Sequence, residues 1–109
     1  MHELALMRSL VDTVEARRPE GRVVVVRLEV GRLSCVLPDA LRFCFDLCAR
    51  GSVLEGAELE IAEIQGRASC RTCGREGPIE PPVPLCPCGS SDLDILAGSE
   101  LRLKELEVV

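Results

Sequence analysis

Cys70-Arg71-Thr72-Cys73-Gly74 and, twelve residues later, Cys86-Pro87-Cys88-Gly89 are the stretch that decides how this chain folds. Four thiolates fill the tetrahedral shell of a Zn²⁺ ion at about 2.3 Å, with neighbouring sulfurs roughly 3.8 Å apart. A glycine after the second cysteine tolerates the backbone bend that such a knuckle needs. The second knuckle holds one residue between its cysteines where two are usual, so its turn must curl more tightly. A shell completed by water or another thiol, with one knuckle cysteine free, is the alternative. Four thiolates leave no open position, which argues for a structural rather than a catalytic ion.

Between Gly66 and Ala97 the surrounding texture is proline and glycine, with Pro78, Pro81, Pro82, Pro84 and Pro87 and no long apolar period. Such a segment cannot build a core by itself, so metal binding must supply folding energy. Outside it the periodicities return. Leu4, Met7, Leu10, Val11 and Val14 recur at helical spacing over residues 3 to 18, and Pro19 with Gly21 stops the helix. Val23 to Val30 reads as a strand with Val24, Val26, Leu28 and Val30 on one face. Pro38-Asp39 opens a second helix whose stripe is Leu37, Leu41, Cys44 and Cys48, flanked by Phe45 and ended by Gly51.

Leu59 and Ile61 alternate with Glu58 and Glu60 in a second strand that fades near Gln65-Gly66. From Glu100 to Val109, Leu101 and Leu103 share one face and Leu106 and Val108 follow one residue out of phase. A bulge near Lys104-Glu105 would reconcile them. The expected class is α+β: a small mixed sheet of about three strands with two helices, plus an inserted zinc-ribbon-like module. Residues 1–65, with a returning strand over 97–109, form one domain and residues 66–96 the other.

The 109 residues fit one ordinary domain or two small ones, and 47% hydrophobic with 28% charged residues is globular composition. A net charge of -5, a pI near 4.9 and only two aromatic residues, Phe43 and Phe45, speak against nucleic acid. No apolar run reaches the roughly 20 residues of a membrane span. No signal-like pattern follows Met1-His2-Glu3, and a cytoplasmic protein is expected. Seven cysteines cannot all pair, and in a reducing compartment clustered thiols point to metal. Cys44 and Cys48 sit four apart on an apolar stripe, where free cysteine packs as a small hydrophobe; Cys35 carries little information.

His2 is the only histidine. If Met1 is retained, the α-amine, the His2 amide nitrogen and the His2 ring nitrogen can wrap one ion in fused chelate rings, with Glu3 completing the set. Those donors suit square-planar Ni²⁺ or Cu²⁺. Read from chemistry alone, the same residues also fit a solvated terminus with an acid favouring the start of a helix.

Met1-His2-Glu3-Leu4, Leu33-Ser34 leading to Pro38-Asp39-Ala40-Leu41-Arg42-Phe43, and Leu54-Glu55-Gly56-Ala57-Glu58-Leu59 occur in this order. Cys70 to Cys73, Cys86-Pro87-Cys88-Gly89-Ser90 and Gly98 to Leu101 follow. Together they resemble the hydrogenase-maturation nickel chaperones, the HypA/HybF family, along essentially the whole chain. One departure is Cys86-Pro87-Cys88, where the family usually has C-P-x-C. The resemblance implies a two-domain carrier that is not an enzyme. His2 would be the main Ni(II) ligand, helped by the Met1 amine, nearby amides and Glu3, and Cys70, Cys73, Cys86 and Cys88 would hold a structural Zn(II). It implies delivery to the [NiFe] hydrogenase large-subunit precursor together with a nickel-handling maturation GTPase (HypB), and in some members service to urease maturation proteins. A monomer or weak homodimer is expected. The competing readings are a zinc-ribbon binding module with no nickel role, for example one contacting nucleic acid or a ribonucleoprotein, and an enzyme. Acidic charge and scarce aromatics count against nucleic acid but not against a protein partner. The enzyme reading lacks a Ser-His-Asp set or a phosphate loop.

Overall fold

The computed structural model describes residues 2–81 and 85–109, and of His2 only the backbone. Two α-helices and six strands follow one another as α1 (His2–Arg17), β1 (Val23–Gly31), α2 (Pro38–Ala49), β2 (Glu58–Ile64), β3 (Gly66–Cys70), β4 (Glu76–Ile79), β5 (Leu93–Ala97) and β6 (Leu101–Val108), with a 3₁₀ turn at Arg32–Ser34. The strands form two three-stranded sheets, ordered β2-β1-β6 and β4-β3-β5. The class is therefore α+β, as the periodicities required. The chain divides into two compact units. One comprises 1–28, 36–62 and 102–109; the other comprises 29–35 and 63–101.

The first unit is built on aliphatic burial. Met7, Leu10, Val11 and Val14 of α1 are buried, and α1 packs against α2. Leu4, expected on the same stripe, is 37% exposed. On α2 the buried line is Leu41, Phe45 and Ala49, spaced four apart. Leu37 is not part of it: it is the N-cap, with extended backbone, and 63% exposed. Rotating the stripe in this way leaves Cys44 and Cys48 on its flank, half-buried. Helix α1 ends one residue early because Arg18 enters the left-handed region at φ 47.

The valine run also differs from a single apolar face. Val23 and Val25 are buried, Val24 is half-buried, and from Val26 the buried set continues as Val26, Leu28 and Val30. The phase changes by one residue between Val25 and Val26. A matching change occurs in β6, where Leu101 and Leu103 are half-buried and then Leu106, with Arg102, Lys104, Glu105 and Glu107 exposed. Arg22 and Val109 exchange two backbone hydrogen bonds, and the Gly31 amide donates to Glu100. The same number of residues separates these partners on both strands, so the slip expected in β6 is compensated in β1 and the pairing register is kept. On the exposed side, Arg27 reaches Glu60 at 2.9 Å, Glu107 at 3.1 Å and Glu105 at 3.7 Å, tying three strands together.

In the second unit β3 pairs antiparallel with both neighbours. Pro78 is tolerated in β4 because β4 is an edge strand, with an unpaired side for its missing N–H. The buried hydrophobic side chains of this unit are Val30, Ala68, Cys70, Ile79 and Cys86. Three glycines meet at the base of the unit. A Cβ on Gly98 would stand 2.5 Å from the Gly66 Cα, and one on Gly31 would collide with the Gly98 carbonyl oxygen. Gly98 also has φ +104, so only glycine fits there without strain.

Candidate metal centre

The four knuckle cysteines converge. Cys70 and Cys88 are 3.8 Å apart at sulfur, Cys73 and Cys86 3.6 Å, and all four sulfurs lie within 4.8 Å of one another. Each short edge joins one sulfur from each knuckle, and both match the roughly 3.8 Å edge of a tetrahedral zinc tetrathiolate. Among the described residues this is the one group of three or more metal-ligating side chains gathered in this way.

The first knuckle closes through the Gly74 amide on the Cys70 carbonyl at 2.9 Å, with Gly74 at φ +78, and the Cys70 amide on the Arg75 carbonyl at 2.7 Å. The second solves the missing residue with a β-turn. The Gly89 amide donates to the Cys86 carbonyl at 2.8 Å, with Pro87 at the turn position where proline is favoured. The Cys86 amide then donates to Ser90 at 3.0 Å. The tighter curl demanded by Cys86-Pro87-Cys88 is therefore present, and the shortened spacing still brings both sulfurs to the cluster.

Electrostatics favour a cation among them. The Cys73 amide, whose nitrogen lies 3.5 Å from the Cys70 sulfur, holds the Cys70 thiol down to about 6, so it is largely thiolate at neutral pH. At Cys86 the Cys88 amide pulls the same way. Burial and the adjacent sulfurs outweigh it and push this thiol up to about 12. Sulfurs this close cannot all ionise alone. A dication at their centre removes the conflict, which is why the donor set fits zinc.

Spacing alone did not disclose what ties the knuckles together. Thr72 and Ser90 share a 2.8 Å hydrogen bond between their hydroxyls, and the Ser90 hydroxyl accepts the Asp92 amide at 3.1 Å. Arg71 donates through its amide to the Asp92 carbonyl and reaches the Asp92 and Asp94 carboxylates with its guanidinium. Bonding to Arg71 in turn lowers the Asp94 pKa. The clue available in sequence was only the polar character of Arg71-Thr72 and Ser90-Ser91-Asp92.

The other expected site residues are placed differently. Glu3 lies in the first turn of α1, and its carboxylate accepts the Leu37 amide at 3.3 Å, at the start of α2. Its own backbone amide, then that of Leu37, lowers its pKa. The His2 backbone begins α1; the His2 side chain and Met1 lie outside the described residues. Cys35 is exposed, with its thiol 3.8 Å from the Leu33 carbonyl, and Cys48 lies 4.0 Å from the Leu4 carbonyl. Neither joins a metal cluster among the described residues.

Comparison with known proteins agrees with this arrangement. A family described as "Hydrogenase/urease nickel incorporation, metallochaperone, hypA" matches residues 1–108. Hydrogenase maturation factor HypA of Trichormus variabilis is 50% identical over 108 residues, covering 99% of this chain and 96% of that protein. The protein of the same name from Geobacter metallireducens is 45% identical over 109 residues, covering 99% of each. In fold, the chain is similar to the solution structure of the Ni metallochaperone HypA from Helicobacter pylori, with TM-score 0.65 and 19% identity over 98% of this chain and 97% of that one. With a full-length family match and relatives near half identity, the chain belongs to the HypA family of metallochaperones for hydrogenase and urease nickel incorporation.

Proposed function

We propose that this chain carries Ni(II) at its N-terminus and delivers it to the [NiFe] hydrogenase large-subunit precursor, while Zn(II) on Cys70, Cys73, Cys86 and Cys88 serves architecture alone. The observation that carries the reading is the separation of chemistries. Every described thiol suited to a tetrahedral ion is committed to the sulfur cluster, and the one imidazole, His2, stands at the far end of the chain. His2 is the principal nickel ligand, with the Met1 amine, the first backbone amides and Glu3 as its partners. The first four amides of a helix have no intrahelical acceptor, so an amide at this position can be given to a metal without breaking a helix bond. In this reading Glu3 divides its carboxylate between the ion and the Leu37 amide.

A carrier must also let go, and a terminal chelate of amine, amide and imidazole releases its ion when protons or a partner compete. Residues 1–65 with 97–109 form the nickel-handling part and 66–96 the zinc part. The protein acts in the cytoplasm as a carrier and not a catalyst, passing nickel with the help of a maturation GTPase (HypB), and urease maturation proteins are a further client class.

Calorimetric titration of Ni²⁺ into untagged protein tests this. Tight stoichiometric binding should be lost in His2→Ala while zinc content stays at one per chain. Equal nickel affinity in both proteins would remove the proposed site.

A further inference from the structure

Strand β6 lies at the edge of its sheet, so one side of its backbone has no partner strand among the described residues. Such an edge invites another strand unless its side chains prevent it. The sequence Leu101-Arg102-Leu103-Lys104-Glu105-Leu106-Glu107-Val108 has an unusual property. Laid antiparallel against a second copy about the Lys104–Glu105 bond, every residue meets a complement. Arg102 faces Glu107, Leu103 faces Leu106, Lys104 faces Glu105 and Leu101 faces Val108. Reading the strand backwards exchanges the charge signs, so a pattern that would repel in parallel attracts in this one register.

Geometry has to agree as well. Residues opposite each other in an antiparallel pair point to the same face. In a regular strand Leu103 and Leu106 would point to opposite faces, and the register would fail. The phase change in β6 removes that objection. Leu103 and Leu106 are both half-buried, whereas Arg102, Lys104, Glu105 and Glu107 are all exposed. Lys104, the chain's only lysine, makes no ion pair among the described residues. Glu105 and Glu107 already lie near Arg27, at 3.7 and 3.1 Å, so the incoming Lys104 and Arg102 would join an existing network rather than start one.

We propose that the β6 edge binds a second copy of this chain, β6 against β6 about a two-fold axis at Lys104–Glu105, joining two three-stranded sheets into one of six strands. Charges on edge strands commonly serve to keep other strands away. Here the two halves of the strand carry opposite signs, so a second copy in this register meets attraction at each charged position. The contact is independent of the nickel reading and calls for no metal between the copies.

Sedimentation equilibrium of the zinc-loaded full chain without nickel, at low ionic strength, tests it. The chain should dimerise, and added salt should weaken the dimer. Lys104→Glu or Glu105→Lys alone places like charges opposite each other twice per dimer, and each should raise the dissociation constant about tenfold or more. The double variant K104E/E105K restores the complement and should recover most of the lost affinity. Lys104→Glu leaves the partners of Arg27 in place, and zinc content with circular dichroism establishes that each variant folds. A chain that stays monomeric at every concentration overturns the proposal. So does a dimer indifferent to the single reversals, or one that the double variant fails to restore.

Discussion

The two units of this chain solve the same problem with different materials. The first buries Met7, Leu10, Val11, Val14, Leu41, Phe45 and Leu54 and holds no buried polar or charged residue among those described. The second buries few side chains, and two of them, Cys70 and Cys86, are knuckle cysteines. An aliphatic interior draws its stability from water and is present whenever the chain is. A sulfur interior draws it from an ion, so it depends on metal supply and on the protonation of its thiols. With zinc in the cluster as proposed, one small protein would combine an unconditional fold with a conditional one.

The largest effect should come from removing the ion. Zinc sites of small domains contribute roughly 10–16 kcal/mol of apparent binding energy at neutral pH, far more than a core this slight can replace. Cys70→Ser, or strong chelation of zinc, should collapse the amide cross-peaks of residues 63–101 in a two-dimensional NMR spectrum. Those of α1 and α2 should stay dispersed. Loss of both sets together would abolish the contrast between the units.

The reverse experiment is Phe45→Ala. Phe45 is 2% exposed and central to the α2 stripe, so truncation should cost about 3–5 kcal/mol in urea unfolding of the first unit. Zinc should remain bound at one per chain. Zinc loss in step with helix loss would show the two parts to be one cooperative body.

A smaller effect sharpens the picture within the sulfur unit. Thr72→Val removes the hydroxyl that bridges the knuckles at 2.8 Å, a loss of about 0.5–1.5 kcal/mol. Zinc transfer to a coloured chelator should speed up by a few-fold to about tenfold, with stoichiometry unchanged. An unaltered transfer rate would mean that the backbone turns alone hold the knuckles together.

Much of this was legible in the sequence, and the gaps have physical causes. Spacing picked out the four cysteines that cluster, because ligands for one tetrahedral ion sit at short intervals along the chain. Helical and alternating periods revealed α1, α2, β1, β2 and β6. The phase of Val23 to Val26 could not be read, since four adjacent valines carry no polar marker to say which faces inward. Leu37 continues the apolar spacing of α2 across Pro38, but the helix begins at Pro38, so the spacing misleads there. Strands β3, β4 and β5 left no periodic trace. They are short, contain Gly77 and Pro78, and owe their order to cross-strand bonds and the cysteine cluster. The ties among Thr72, Ser90, Arg71, Asp92 and Asp94 join residues far apart in sequence, where no local pattern reaches. For Met1 and His2 the reading rests on terminal chelate chemistry and family resemblance.

The meeting of Gly31, Gly66 and Gly98 has a further consequence for how such a chain could arise. Residues 66 and 98 bracket strands β3 to β5 and the cysteine cluster, yet their backbones nearly touch. A graft whose two ends coincide asks nothing of its recipient beyond a break in one loop. Everything between those glycines is then free to lengthen, shorten or be exchanged over evolutionary time without stretching what lies outside. The absence of three side chains at one crossing is what would make the cysteine-bearing part a replaceable accessory.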